Sequence, residues 1–257
     1  MRFIILTLFP EVFESFLSSS ILKRAIGKEI IEVKLVNIRD YTKDKYNRCD
    51  TPPVGGGAGL ILKIQPIIDA LKANSSEKTH KIILSPRGIK YDQKIANHYA
   101  KDYEEILVLC GHYEGFDERI YDYFDEVISI GDYILTGGEP AALAIIDSVS
   151  RLIKGVITES SLAEESFSSH LLEYPQYTEP YEYDNKKIPD ILYSGNHQAI
   201  EKYRLKKSLD LTLKLRKDLL NGHIYSKTEE KLIEELKNEK TPDWELEALN
   251  KGKKFIK

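Results

Sequence analysis

Nowhere in its 257 residues does the chain hold an apolar run long enough to cross a bilayer, which takes about 20 consecutive residues. The one stretch that resembles a targeting segment, MRFIILTLFP, is apolar only from Phe3 to Phe9. Thr7 interrupts it, and Pro10 and Glu11 follow with no small-residue cleavage site. It reads as a first buried strand. Cysteine is nearly absent: Cys49 and Cys110 lie far apart without CxxC or metal-ligand spacing. That excludes a disulfide framework and a zinc centre and suits a reducing compartment. The expectation is a cytoplasmic protein with no membrane partner and no metal site. Nucleotide fingerprints are missing too. PPVGGGAGLILK lacks the Gly-Lys-Ser/Thr of a Walker loop, and LCGHYEGFDER lacks the dinucleotide spacing.

The net charge of -4 would argue against nucleic acid if it were evenly spread, and it is not. From Glu159 to Asp190 acids dominate, opposed by Lys186 and Lys187. From Gly195 to Leu220, Lys202, Arg204, Lys206, Lys207, Lys214, Arg216 and Lys217 face only Glu201, Asp210 and Asp218. Such a segment is either a phosphate-binding face or a solvated helix face, and charge alone leaves both open.

Short apolar runs rich in β-branched residues, Phe3 to Leu8, Val33 to Ile38, Lys81 to Leu84, Ile106 to Leu109 and Val127 to Ile130, alternate with helical patterns. The helical patterns cover Glu11 to Ile26, Ile64 to Ala73, Asp92 to Ala100 and Pro140 to Ile153. The alternation predicts an α/β domain with a mostly parallel sheet. After Gly155 the chain turns rich in Ser, Glu, Tyr and Pro and loses periodicity, which reads as a linker. Beyond Gly195 a helical pattern returns, and a small all-helical C-terminal domain is expected. The expected division is 1–157, a linker over 158–193, and 194–257.

Two glycine loops follow buried strands: LCGHYEGFDER (Leu109 to Arg119) and SIGDYILTGGEP (Ser129 to Pro140). Loops at neighbouring strand ends can hold a flat ligand between backbone groups and apolar walls such as Ile130, Ile134 and Leu135. An adenosine moiety suits that arrangement. Either loop alone reads equally as a tight strand-to-helix turn.

Together these blocks carry a resemblance. LTLFPEVF, DKYNRCDTPPVGGGAGLILKIQP, ILSPRG, LCGHYEGFDER, SIGDYILTGGEPAALAIIDSVSRLIKGV, LLEYPQYT and SGNHQAIEKYRLKKSL stand in order along nearly the whole chain. The chain thereby resembles the bacterial tRNA (guanosine-N1)-methyltransferases of the SPOUT class, which act on the guanosine at tRNA position 37. The resemblance implies a deep trefoil knot holding S-adenosylmethionine. Carried over, the cofactor residues are Pro86, Gly111, Tyr113, Ile130, Gly131, Asp132, Tyr133, Ile134, Leu135, Gly137 and Gly138. It implies a homodimer with active sites between subunits, and it gives the basic segment a tRNA-holding role. Arg151 matches the catalytic arginine, and Glu114 is the acidic neighbour of the pocket. Family members are often magnesium-dependent, but no cluster in this sequence defines a metal site.

The sequence departs from the family at the base. The family's Asp-Gly pair is replaced by Ser169 and His170, and serine without a partner is no base at neutral pH. His170 is the expected proton acceptor, with Glu173 as the alternative. Glu179 stands where the family usually has an arginine. Two alternatives to the methyltransferase remain open: an inactive homologue that binds tRNA or cofactor, and a methyltransferase for another RNA site.

Overall fold

The computed structural model describes residues 1–158, 170–238 and 241–255, and the chain divides into two compact units, Met1–Glu159 and Ser160–Lys257. The first unit contains β1 (Arg2–Thr7), β2 (Glu32–Asn37), β3 (Asp50–Thr51), β4 (Ile61–Leu62), β5 (His80–Lys90), β6 (Glu105–Leu109) and β7 (Glu126–Ser129). Five of them form one sheet in the order β2-β1-β6-β5-β7. Every neighbouring pair in it is parallel, so the sheet is fully parallel rather than mostly so. The short β3 and β4 pair antiparallel at the two ends of the first glycine loop.

Strand side chains alternate between faces, and both faces are covered, which is why these strands read as continuous apolar runs. On one face Phe3, Ile5, Ile82, Ile106 and Val108 pack with α1 (Glu11–Leu17), α2 (Ser20–Gly27), α4 (Gln93–Asp102) and α5 (Glu139–Ser150). On the other, Ile4, Leu6, Ile83, Leu107 and Leu109 pack with Ile67, Ile68, Ala70 and Leu71 of α3 (Ile64–Asn74).

Three local differences from the sequence expectation have physical causes. The single helix expected over 11–26 is two, because the hydroxyls of Ser18 and Ser19 donate to the Ser15 carbonyl and compete with the helical ladder. Strand β5 continues to Lys90 after an excursion: Leu84 and Ile89 both pair with Ile128, so residues 85–88 loop out. Gly88 makes that possible, since a Cβ there would lie 2.5 Å from the backbone of Val127 and Ile128. Third, α5 ends at Ser150 with Arg151 as its C-cap. Its Ala142, Ile145, Ile146 and Val149 are fully buried in the unit's own core.

The second unit is mostly helical, with α6 (His197–Leu215), α7 (Lys227–Lys237) and α8 (Asp243–Gly252). It also contains one antiparallel hairpin, β8 (Glu182–Tyr183) with β9 (Lys186–Lys187). The described part of the expected linker belongs to this body. Leu171, Ile188 and Ile191 are buried, and the Leu172 amide donates to Thr212 Oγ1 of α6 at 2.9 Å.

Candidate active site

The carboxyl ends of β5, β6 and β7 are neighbours in the sheet, and the chain leaves them through three loops that enclose a cavity of about 470 Å³. Backbone hydrogen bonds tie the loops together. The Gly138 amide donates to the Gly111 carbonyl at 2.7 Å, and His112 bridges Gly137 in antiparallel fashion. The first glycine loop closes from the far side: Glu114 N donates to Leu60 O at 3.0 Å, and Leu62 N donates to Gly115 O at 2.9 Å. All three glycine stretches seen in the sequence therefore meet at one place. Gly138 is required at the tightest point, because a Cβ there would stand 2.8 Å from Cys110 Cα and from Gly111 N.

Most of the expected cofactor residues line this cavity. Pro86 enters from the β5 excursion, Gly111, Tyr113 and Glu114 from the β6 loop, and Ile130, Gly131, Tyr133, Ile134, Leu135, Gly137 and Gly138 from the β7 loop. Asp132 does not: its side chain is 92% exposed and pairs with Lys90 at 3.5 Å. Tyr113 has a φ of +56°, an unfavourable setting for a non-glycine residue of the kind that concentrates at ligand sites. Ile134 and Leu135 are exposed although apolar, which leaves wall surface for a ligand to cover.

Sequence reasoning missed other lining residues. His112 is part of the lining, and its Nδ1, buried beside Gly137, has no hydrogen-bond partner among the described residues. Arg87 in the excursion grips Glu118 through two bonds of 2.7 and 2.9 Å and lies over the Tyr121 ring. This clasp joins the β5 and β6 loops; it raises the Arg87 pKa and lowers that of Glu118. Below the loops, Thr7 Oγ1 donates to the buried Glu139 carboxylate at 2.7 Å. Burial, reinforced by the Glu139 charge, pushes the Cys110 thiol well up, which makes it inert as a nucleophile.

The remaining expected residues lie elsewhere. Arg151 sits in the turn after α5 and is not part of the cavity lining. His170 is exposed in the second unit at a φ of +62°, its ring 5.9 Å from that of His223. Glu173 accepts a hydrogen bond from Gln176 Nε2. Ser169 lies outside the described residues. The basic segment is less free than its composition suggested. Lys206 is buried against Glu245 at 2.6 Å, Lys202 pairs with Glu235, Lys214 with Asp210 and Arg216 with Asp218. Among the described residues no cluster of three or more His, Cys, Asp or Glu is arranged to hold a metal, and no helix is long and apolar enough to cross a membrane.

The family profile described as tRNA (Guanine-1)-methyltransferase TrmD matches residues 1–222. The chain belongs to this family. Among TrmD relatives, a protein of Caldicellulosiruptor saccharolyticus named tRNA (guanine-N(1)-)-methyltransferase is 53% identical over 224 residues, covering 86% of this chain and 91% of the relative. A protein of the same name from Borrelia duttonii is 52% identical over 85% of this chain and 92% of its own length. One from Mycoplasma capricolum is 43% identical over 93% of this chain and 100% of its own. The TrmD match extends past the first unit into the second, so α6 belongs to the shared sequence as fully as the cavity loops do.

Proposed function

We propose that this chain transfers a methyl group from S-adenosylmethionine to N1 of the guanosine at tRNA position 37. It does so as a cytoplasmic homodimer whose cavity loops form the knotted cofactor site of the SPOUT class. Residues 1–157 are the catalytic domain in this reading, 158–193 the connecting segment and 194–257 the tRNA-binding domain. The observation that carries it is the convergence of the β5, β6 and β7 loops on one cavity, with the first glycine loop bonded to the β6 loop, in a chain of the TrmD family.

The cavity suits the donor. About 470 Å³ falls within the roughly 300 to 1,000 Å³ typical of small-molecule sites, which combine apolar walls with a few polar groups. Ile130, Ile134 and Leu135 supply walls, the glycine backbones allow close approach, and Glu114 offers a polar contact. S-adenosylmethionine supplies an electrophilic methyl group on a sulfonium sulfur. The chain's own residues handle the acceptor. Guanine N1 carries a proton and is a poor nucleophile until that proton leaves, and its loss places negative charge on O6. Arg151 holds that charge, and His170 takes the proton, with Glu173 as the second candidate. No step is assigned to magnesium.

Two variants test the assignment by single-turnover transfer beside calorimetric cofactor binding. Arg151→Lys is expected to bind the cofactor normally and to lose about 100-fold or more in transfer rate. His170→Ala is expected to lose rate with a shifted pH profile; full wild-type rate would return the base to Glu173.

A further inference from the structure

A second cavity, of about 280 Å³, lies wholly within the second unit. Residues 174–179 form one side, Ile188, Leu192 and Tyr193 another, and Arg204 projects from α6. The Arg204 guanidinium carbon stands 4.6 Å from the centre of the Tyr174 ring. Its Nε is buried and has no hydrogen-bond acceptor among the described residues. The neighbouring cations behave differently: Lys202 and Lys206 are neutralised by Glu235 and Glu245. Within the same lining Tyr193 donates to Glu179 Oε1 at 2.9 Å, which fixes that carboxylate and leaves its second oxygen without a described partner.

These features specify a ligand. An arginine plane resting on a tyrosine, with further tyrosines around it, is the platform on which proteins stack unpaired bases. A phosphate would need no aromatic walls and would be repelled by Glu179. A nucleobase answers each group in turn: its ring stacks, its carbonyl or ring nitrogen accepts from Arg204, and its N–H edge donates to Glu179. The volume lies just below that of cofactor-sized sites, as expected for one flat ring system.

We propose that the second unit carries a pocket for one unpaired nucleobase of the RNA substrate, distinct from the base that is methylated, stacked beside Tyr174 and Arg204 and read by Glu179. This rests on the reading of the chain as a tRNA enzyme. Glu179, which stands where the family usually has an arginine, becomes a reader of the base edge.

The test measures binding of the full-length protein to tRNA transcripts, each carrying one abasic nucleotide in an unpaired loop. Wild type is expected to bind one such transcript about tenfold more weakly than the intact one, the size of a single stacked base. Arg204→Lys keeps the charge but not the plane and is expected to erase that difference. Glu179→Gln, at an exposed position, is expected to shrink it several-fold and guards against misfolding of the first variant. The proposal is overturned if Arg204→Lys binds every transcript like wild type, which means a phosphate contact, or if every abasic transcript responds identically in all three proteins. Methyl transfer is followed on the same transcripts. Wild type that binds but does not methylate contradicts the enzymatic reading and leaves the pocket to be judged on binding alone.

Discussion

Gly138→Ala tests whether the cavity depends on the close approach of the β6 and β7 loops. The added methyl would stand 2.8 Å from Cys110 Cα and Gly111 N, atoms of the backbone that cannot rotate away. Restoring ordinary contact of about 3.4 Å moves the loops apart by about 0.6 Å. That stretches the 2.7 Å bond from the Gly138 amide to the Gly111 carbonyl to about 3.3 Å, just beyond the usual range. The overpacking costs about 1 to 3 kcal/mol and the weakened bond up to about 1 kcal/mol more. For a chain of this size each kcal/mol lowers the melting temperature by about 2 to 4 °C. A shift of about 0.6 Å also exceeds the roughly 0.5 Å tolerance of a productive site, so transfer should fall about tenfold to a hundredfold. Thermal melts and calorimetric titration with S-adenosylmethionine read the two effects. Gly27→Ala is the control, since a Cβ there meets nothing within 4 Å. If Gly138→Ala bound the cofactor with wild-type affinity, the loop junction would not be what shapes the cavity.

Thr7→Val removes the donor from the buried Glu139 carboxylate and is expected to cost about 1 to 3 kcal/mol in urea unfolding. Lys206→Met leaves Glu235 and Glu245 facing each other without their shared cation. It should destabilise the second unit by about 3 kcal/mol, seen as earlier loss of helical circular dichroism. Burial pushes Tyr91 up to about 12 and Tyr99 up as well, so the fold favours their neutral forms. Their contribution is intact below the unfolded tyrosine value of about 10 and is lost as pH rises towards about 12. Unfolding free energy measured across that window should fall, and less steeply in Tyr91→Phe. A fall of equal slope in both proteins would exclude Tyr91 as a contributor.

The sheet was legible because both its faces are buried: runs such as Phe3 to Leu8 and Ile106 to Leu109 carry no polar alternation and hardly any ambiguity. The cavity loops were legible as glycine stretches after those runs, although the family resemblance supplied their ligand. Contacts between residues distant in sequence were not. The clasp of Arg87 on Glu118 spans 31 positions, and no spacing rule announces it. His112 looked like one more loop residue until the fold buried its Nδ1. The basic helix misled in the opposite sense, because the carboxylates that neutralise Lys202 and Lys206 arrive from α7 and α8. The Tyr- and Pro-rich stretch after residue 170 read as a linker because its buried residues, Leu171, Ile188 and Ile191, are too sparse to make a period.

The most direct test of the central claim is methyl transfer from labelled S-adenosylmethionine to an unmodified tRNA transcript with guanosine at position 37, beside the same transcript with adenosine there. The account predicts label on the guanosine transcript alone, which would also establish that the chain works without the family's linker aspartate. Label on neither transcript, with cofactor and tRNA both bound, would contradict it.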